Sequence, residues 1–376
     1  MTLLDEIIEL TCDLIRFKTM HSRPKEISAC ARFIMDWCAE NDMRAGLMEQ
    51  NGVPSIAVMP ESGRRTKLML MSHIDVVDAD DALFEPRIED DKLFGRGAGD
   101  DKYAAAMSLV LFRERLRMLR EKGLGQKDMV MGVLITGDEE VGGRNGAGHA
   151  LAREQADFVI ALDGGSPGRM VLKEKGIINL KITARGKAAH GARPWMGENA
   201  IDALISDYEA LKPLFNEENE EHWHRTLNFG IVRGGESVNQ VPDVAEGQFN
   251  IRYTDHDDPE QLIDMVRDAV KGEVDVLRID PVFASPPSEY TDFLLKLSGA
   301  ERVQEHGASD ARYLQDLGMS GVVWGAEVFG SIHGVNECVS ISSINMLTET
   351  IQKFVAKLEK GIEGMRNNGK PTGALF

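Results

Sequence analysis

Cysteine is scarce in this chain. Four residues in 376 (Cys12, Cys30, Cys38 and Cys338) are scattered along it and never fall in a CxxC pair. No disulfide framework or thiolate zinc site can be read from that spacing, and reduced, mostly buried thiols are expected. Basic residues are also short, 43 Lys and Arg against 61 Asp and Glu, a net charge of −18. A surface this acidic argues against nucleic acid and anionic membranes as partners. No apolar run approaches the length of a membrane span. The first residues, Met1-Thr2-Leu3-Leu4-Asp5-Glu6, are acidic where a signal peptide needs a basic segment, so a cytoplasmic location is expected. Internal repeats and low-complexity stretches are absent.

At 376 residues the chain exceeds what one hydrophobic core usually supports, so two domains are expected. Residues 3–17, 27–41 and 104–120 carry apolar side chains at helical spacing, and short apolar runs cover 55–59, 67–71, 129–136 and 158–162. Near-continuous apolar strands separated by helices imply an α/β fold: a mixed, mostly parallel sheet with helices on both faces. From about Gly176 the texture changes. Strand-like stretches at 179–185, 226–232, 247–253 and 274–283, with helices at 198–211 and 259–270, give the order βαββαβ of a ferredoxin-like unit. Residues 177–285 are therefore expected to form an inserted domain, with 1–176 and 286–376 rejoining around it. After Pro286-Pro287 the alternation resumes at 292–297, 310–317 and 322–325. A helix over 342–366 closes the pattern, and the last ten residues are expected to fray.

Side chains of the metal-binding type recur where those strands end. His73-Ile74-Asp75 follows one apolar run, Asp100-Asp101-Lys102 precedes a helix, Gly137-Asp138-Glu139-Glu140 follows another run, and Asp163 follows a third. His333 sits in the glycine-flanked loop Gly330-Ser331-Ile332-His333-Gly334. Each has a plain alternative. The HxD could be a surface pair, Asp100-Asp101 an acidic first helical turn matching the macrodipole, and Glu139-Glu140 an exposed acidic loop. Together, two imidazoles and several carboxylates without a cysteine suit a binuclear site for zinc and metal-assisted hydrolysis. In His73-x-Asp75, period-two spacing puts both side chains on one face, so the carboxylate can hold the imidazole's second nitrogen. Of two adjacent glutamates, one can bind metal while the other moves a proton.

The stretches SHIDVV (72–77), LFGRGAGDDK (93–102), TGDEEVGG (136–143), KAAHGARPWMGENAI (187–201), RGGESVNQVP (233–242), FNIRYT (249–254), GASDARY (307–313) and HGVNECV (333–339) resemble, in order, the co-catalytic metallopeptidases of clan MH. That group holds aminoacylases, succinyl-diaminopimelate desuccinylase, acetylornithine deacetylase, glutamate carboxypeptidase and dipeptidases. The resemblance implies a zinc-binding catalytic domain interrupted by a lid that dimerises. It implies two Zn²⁺ per chain, with Co²⁺ or Mn²⁺ as substitutes. Asp100 would bridge them; His73 and Asp163 would complete one site, Glu140 and His333 the other. Glu139 would take a proton from the metal-bridging water and deliver it to the leaving nitrogen, and Asp75 would orient His73. His190, reaching from the partner subunit, would stabilise the oxyanion. Asn239 and Arg252 would hold a substrate carboxylate, and Ser309 would line the pocket. Read as a residue alone, Arg252 could instead be an ordinary strand charge facing solvent. A cis Asp100-Asp101 peptide is also implied.

This sequence departs from the family pattern in two places. Tyr103 replaces the usual glycine after the Asp-Lys pair, which could narrow the pocket. Aspartate at 163, where deacylases carry glutamate, looks like the di-, tri- and aminopeptidase branch, whereas FNIRYT, GASDARY and HGVNECV look like the desuccinylase and deacetylase branch. The substrate is a dipeptide or an N-acyl amino acid on this reading. A catalytically inactive binding protein and a binuclear phosphoesterase are the alternatives from other classes. The latter requires basic groups converging on the metals, and only Arg96 and Lys102 lie in the motifs that carry the metal-type residues.

Overall fold

A computed structural model describes residues 2–61 and 65–368. The expected fraying of the last ten residues falls largely outside that range. The chain divides into two compact units: 1–172, 285–304 and 309–376 in the first, and 173–284 with 305–308 in the second.

The first unit is an α/β layer structure built on a mixed sheet. Its strand order runs Gly46–Gln50, Val53–Val58, Met131–Thr136, Thr66–His73, Ala156–Ala161, Ser320–Val323, Arg169–Glu174. Parallel pairing is confined to the four strands from Met131–Thr136 to Ser320–Val323; the strands outside them pair antiparallel. Along Thr66–His73, Leu68 and Leu70 join one hydrophobic cluster with the helices, while the alternating Met69 and Met71 are just as buried. Both faces are covered, which is why the strands read as unbroken apolar runs. Helix Leu3–Arg16 starts at a Thr2/Asp5 capping box and buries Ile7, Leu10, Leu14 and Ile15. Helix Lys102–Glu121 is buried all round from Lys102 to Phe112, so its sequence shows little amphipathic pattern there.

The parallel centre matters for the site. Parallel strands end on the same side, so Thr66–His73, Met131–Thr136 and Ala156–Ala161 deliver their following residues to one edge. His73 closes the first strand, Glu139–Val141 is a short turn after the second, and Asp163 lies two residues past the third.

The second unit is a four-stranded antiparallel sheet in the order Thr226–Gly234, Val244–Tyr253, Gly176–Arg185, Glu273–Asp280, with helices Ala200–Leu211 and Pro259–Ala269. Strand Val244–Tyr253 alternates between buried and less buried positions along its length, so one face packs on the helices and the other does not. Some boundaries shift from the sequence expectation. The last strand breaks after Asp280, and Phe283–Ala284 pairs separately with Glu174 and Lys173. Residues 310–317 form two short 3₁₀ turns, Asp310–Tyr313 and Gln315–Leu317. A small sheet of Arg87–Glu89, Lys92–Phe94, Cys338–Ser340 and Val328–Phe329 was not legible, because its strands are only two or three residues long. Among the described residues no helix is long and apolar enough to cross a membrane.

Candidate metal centre

Among the described residues of the first unit, two groups of metal-type side chains form, and they share Asp100. His73, Asp100 and Asp163 make one, Asp100, Glu140 and His333 the other, with ligand atoms in each group within 4.8 Å of one another. Asp100 Oδ1 lies 2.9 Å from His73 Nε2, which is 3.8 Å from Asp163 Oδ2. Asp100 Oδ2 lies 3.2 Å from His333 Nε2, which is 3.2 Å from Glu140 Oε2. One carboxylate therefore offers an oxygen to each group. The Asp100-Asp101 peptide is cis.

The donors fit divalent cations of the zinc type: imidazole and carboxylate, no thiol. His73 Nε2 is buried with the Asp100 carboxylate beside it, and its ring is fixed by Nδ1 at 3.0 Å from the Asp75 carbonyl. Both carboxylate oxygens of Asp101 are buried without a hydrogen-bond partner. Burial and then the Asp163 carboxylate raise the Asp101 carboxyl well above its ordinary range; burial, then Asp163 and Asp310, do the same to Glu139. This much mutually repelling negative charge in a buried pocket is what two bound cations would neutralise.

The imidazoles shift in the same sense. Burial alone would lower His73, yet its hydrogen bonds to Asp100 and Asp75 hold it well above its ordinary value. His333 is raised to about 10 by the Asp100 and Glu140 carboxylates. Metal ligation would require both imidazoles neutral, so a cation held here would compete with protons.

Two buried carboxylates hold these candidate side chains in place. Glu337 accepts from the backbone N–H groups of Gly97 (2.9 Å), Gly99 (3.1 Å) and Asp100 (3.3 Å), and pairs with Arg96, whose Nη2 donates to the His333 carbonyl. Gly97 has φ +84, and a Cβ there would crowd Lys102 and Val76. Asp75 accepts from the backbone N–H of Glu139 (3.1 Å) and Glu140 (3.0 Å), with His21 Nε2 at 2.9 Å. His21, then His73, brings the Asp75 carboxyl down to about 2 against the opposing effect of burial. The nearest Asp75 atom to His73 Nδ1 is thus the carbonyl; Oδ1 is 3.4 Å away, and the carboxylate chiefly anchors the Glu139-Glu140 turn. Glu139 itself faces Arg312, whose Nη2 is 3.0 Å from Oε1.

Other sequence-predicted residues fall as follows. Ser309 is buried, and its Oγ accepts from Ala311 N–H, so it caps the Asp310–Tyr313 turn. Tyr103 is buried, its hydroxyl donating to the Leu162 carbonyl and accepting from Ala326 N–H. It ties helix to sheet through these two hydrogen bonds. The alternative of an acidic first helical turn fails: Asp101 occupies the N-cap without a side-chain capping bond. Lys102 is buried and donates to Phe17 O, and Arg96 is committed to Glu337 and His333; neither is free for a phosphate. In the second unit His190 is exposed on the short strand Ala189–His190, opposite Gln240, and its Nδ1 accepts from Ala192 N–H. Asn239 adjoins it through its carbonyl, which accepts from Gly191 N–H. Arg252 lies near the far end of Val244–Tyr253, with Nε donating to Asn250 Oδ1.

Sequence reasoning missed Glu337, Arg96, Arg312 and His21 as parts of the centre. The first three stand inside quoted motifs (HGVNECV, LFGRGAGDDK and GASDARY), but nothing in their spacing reveals a buried partner. His21 carries no local signal at all.

Residues 69–357 match the model of peptidase family M20/M25/M40. A peptidase M20 domain-containing protein of Schizosaccharomyces pombe is 26% identical over 90% of this chain and 82% of its own length. A probable succinyl-diaminopimelate desuccinylase of Staphylococcus aureus is 27% identical over 66% of this chain and 67% of its own. In fold, the chain resembles a tripeptidase of Staphylococcus aureus (TM-score 0.72, 20% identity, 95% of this chain and 99% of that one). It also resembles an M20 family metallo-carboxypeptidase of Sulfolobus solfataricus (TM-score 0.72, 18% identity, 93% and 98%). The family match spans well over half of the chain, and this protein belongs to peptidase family M20/M25/M40, as a hydrolase acting on C–N bonds.

Proposed function

We propose that the protein is a binuclear, zinc-dependent hydrolase that cleaves the amide bond of a small carboxylate-bearing substrate, a short peptide or an N-acyl amino acid. The observation that carries this reading is Asp100, whose two oxygens face two separate ligand groups. His73 and Asp163 would hold one cation, Glu140 and His333 the other. Cations held there supply Lewis acidity toward the scissile carbonyl and lower the pKa of the attacking water. Glu139, outside both ligand groups and at the same edge of the sheet, accepts that water's proton and returns it to the leaving nitrogen. Its carboxyl is poised for this by burial and by neighbouring carboxylates.

The first unit is on this reading the catalytic domain and the second a lid through which two copies dimerise. Ala189–His190 lies beyond the Val244 end of strand Val244–Tyr253, and Arg252 near the other. At ~3.3 Å per residue that puts them roughly 25 Å apart or more. That separation supports His190, with Asn239 beside it, reaching a partner's substrate to act on its oxyanion, while Asn239 and Arg252 serve carboxylate recognition from different copies. Ser309 acts through the turn it caps. The acidic surface and the lack of a membrane-spanning helix among the described residues suit small-molecule substrates and a cytoplasmic setting.

The test is a hydrolysis screen of dipeptides, tripeptides, N-acetyl and N-succinyl amino acids with Zn²⁺, Co²⁺ or Mn²⁺ added. Turnover of one class that chelation abolishes and metal restores is expected. Two bound ions with no turnover of any C–N substrate would favour a binding protein instead.

A further inference from the structure

We propose that Arg312 is a positioning residue for Glu139, and that the turn Asp310–Tyr313 is the scaffold that aims this carboxylate. The proposal rests on the hydrolase reading for its chemistry and on independent geometry for its contacts. Glu139 opens a three-residue 3₁₀ turn that has no side-chain cap of its own. A glutamate there has several free torsions, and its neighbour Glu140 is drawn to His333. Something must send the two adjacent carboxylates to different partners.

Three side chains of the Asp310–Tyr313 turn do so, one ahead of Glu139, one at it and one behind it. Asp310 Oδ2 accepts from Thr136 Oγ1 (3.2 Å), at the end of the strand that leads into the turn. Arg312 Nη2 donates to Glu139 Oε1 at 3.0 Å. Tyr313 donates its hydroxyl to the carbonyl of Gly142, just past the turn. Gly143, at φ +65, lets Asp310 pack this close, since a Cβ there would overlap the aspartate. From the other side Asp75 fixes the amides of Glu139 and Glu140. Only the side chain of Glu139 then remains to be oriented, and Arg312 meets it.

Arginine suits the task. Its side chain is 2% exposed, its charge does not titrate in the working range, and its planar fork sets a direction that a lysine ammonium does not. Asp310 Oδ1, 3.7 Å from the same Nη2, supplies the counter-charge that keeps the guanidinium tolerable when Glu139 takes up a proton. Arg312 therefore acts through Glu139, without touching the reacting atoms.

The test uses the full chain with Arg312→Met, Arg312→Lys, Glu139→Gln and the Arg312→Met/Glu139→Gln double variant. Metal content is measured by elemental analysis, kcat and KM on the substrate found by the screen, and denaturant unfolding on metal-free protein. Arg312→Met should keep both ions and lower kcat on the order of 10²-fold, the cost of a misplaced reacting group, with little change in KM. Arg312→Lys should recover part of that loss. In the Glu139→Gln background Arg312→Met should cost nothing further in kcat, and the two changes should be non-additive in unfolding. Loss of metal along with rate, a KM rise at unchanged kcat, or additive losses would each overturn the proposal. If the unsubstituted chain hydrolyses nothing, the hydrolase reading fails, and the metal-free unfolding cycle still decides the contact: additive stabilities refute it.

Discussion

The two units hold their candidate functional residues in opposite ways. In the first, His73, Asp100, Glu140 and His333 sit in networks that fix them before anything binds. Glu337 gathers three amides of the Gly97–Asp100 loop, and through Arg96 it also secures the loop of His333. Asp75 does the same for the Glu139-Glu140 turn. In the second, His190 and Asn239 are exposed and held by little more than local turn contacts. Cation ligands must converge within a few tenths of an ångström, and a buried network supplies that accuracy. Groups that meet a diffusing substrate need access, and they are held more loosely.

Substitutions can break this contrast in order of expected effect. Glu139→Ala should cost about 10²–10⁴-fold in turnover, the usual range for a lost general base, with both metals retained. Parallel loss of metal and activity would mean that Glu139, not Glu140, is the ligand. His190→Ala should lower kcat by on the order of 10²–10³-fold, as for loss of an oxyanion donor, with metal content intact. Mixing it with Glu139→Ala protein should restore activity through heterodimers that carry one complete site. Confirmed subunit exchange without recovery would place His190 in its own chain's site or outside catalysis.

Glu337→Gln probes the first unit's network directly. The neutral amide keeps the shape but weakens the hold on three amides and Arg96, so metal affinity should fall by about 10- to 100-fold without unfolding the chain. Unchanged affinity by calorimetry would show that the ligands hold themselves. The smallest effect is on pH. In metal-free protein His333 is raised from 6.5 to about 10. The stabilisation it brings is complete below pH 6.5 and is lost as pH rises through about 10. Metal-free protein should therefore lose stability across that window, more steeply than metal-loaded protein, in which the proton has already been displaced. Because metal must displace protons from His73 and His333, uptake at neutral pH should release protons, measurable by calorimetry in buffers of different ionisation enthalpy. No buffer dependence would contradict these shifts.

How much of this was legible in the sequence follows from physics. Periodicity revealed the long elements, because burial on both faces or on one leaves unbroken or alternating apolar runs, as in Thr66–His73 and Val244–Tyr253. The ligand types were visible because His, Asp and Glu at strand ends form a small vocabulary. The supports were not. Glu337 and Asp100 are far apart in sequence, and Arg312 lies 173 positions from Glu139, so neither contact leaves a local pattern. The anchoring of Tyr103 was hidden for the same reason: its partners Leu162 and Ala326 come from distant segments. The two-residue strands Val328–Phe329 and Ala189–His190 are too short to show any period.

The shared carboxylate is the most direct place to test the account. Metal titration of purified, metal-stripped protein by calorimetry and elemental analysis, beside Asp100→Ala, measures it alone. The account predicts two tightly bound divalent ions per chain in the natural protein and loss of tight binding at both positions in the variant, since one side chain serves both. An Asp100→Ala protein that still holds two ions with undiminished affinity would contradict it.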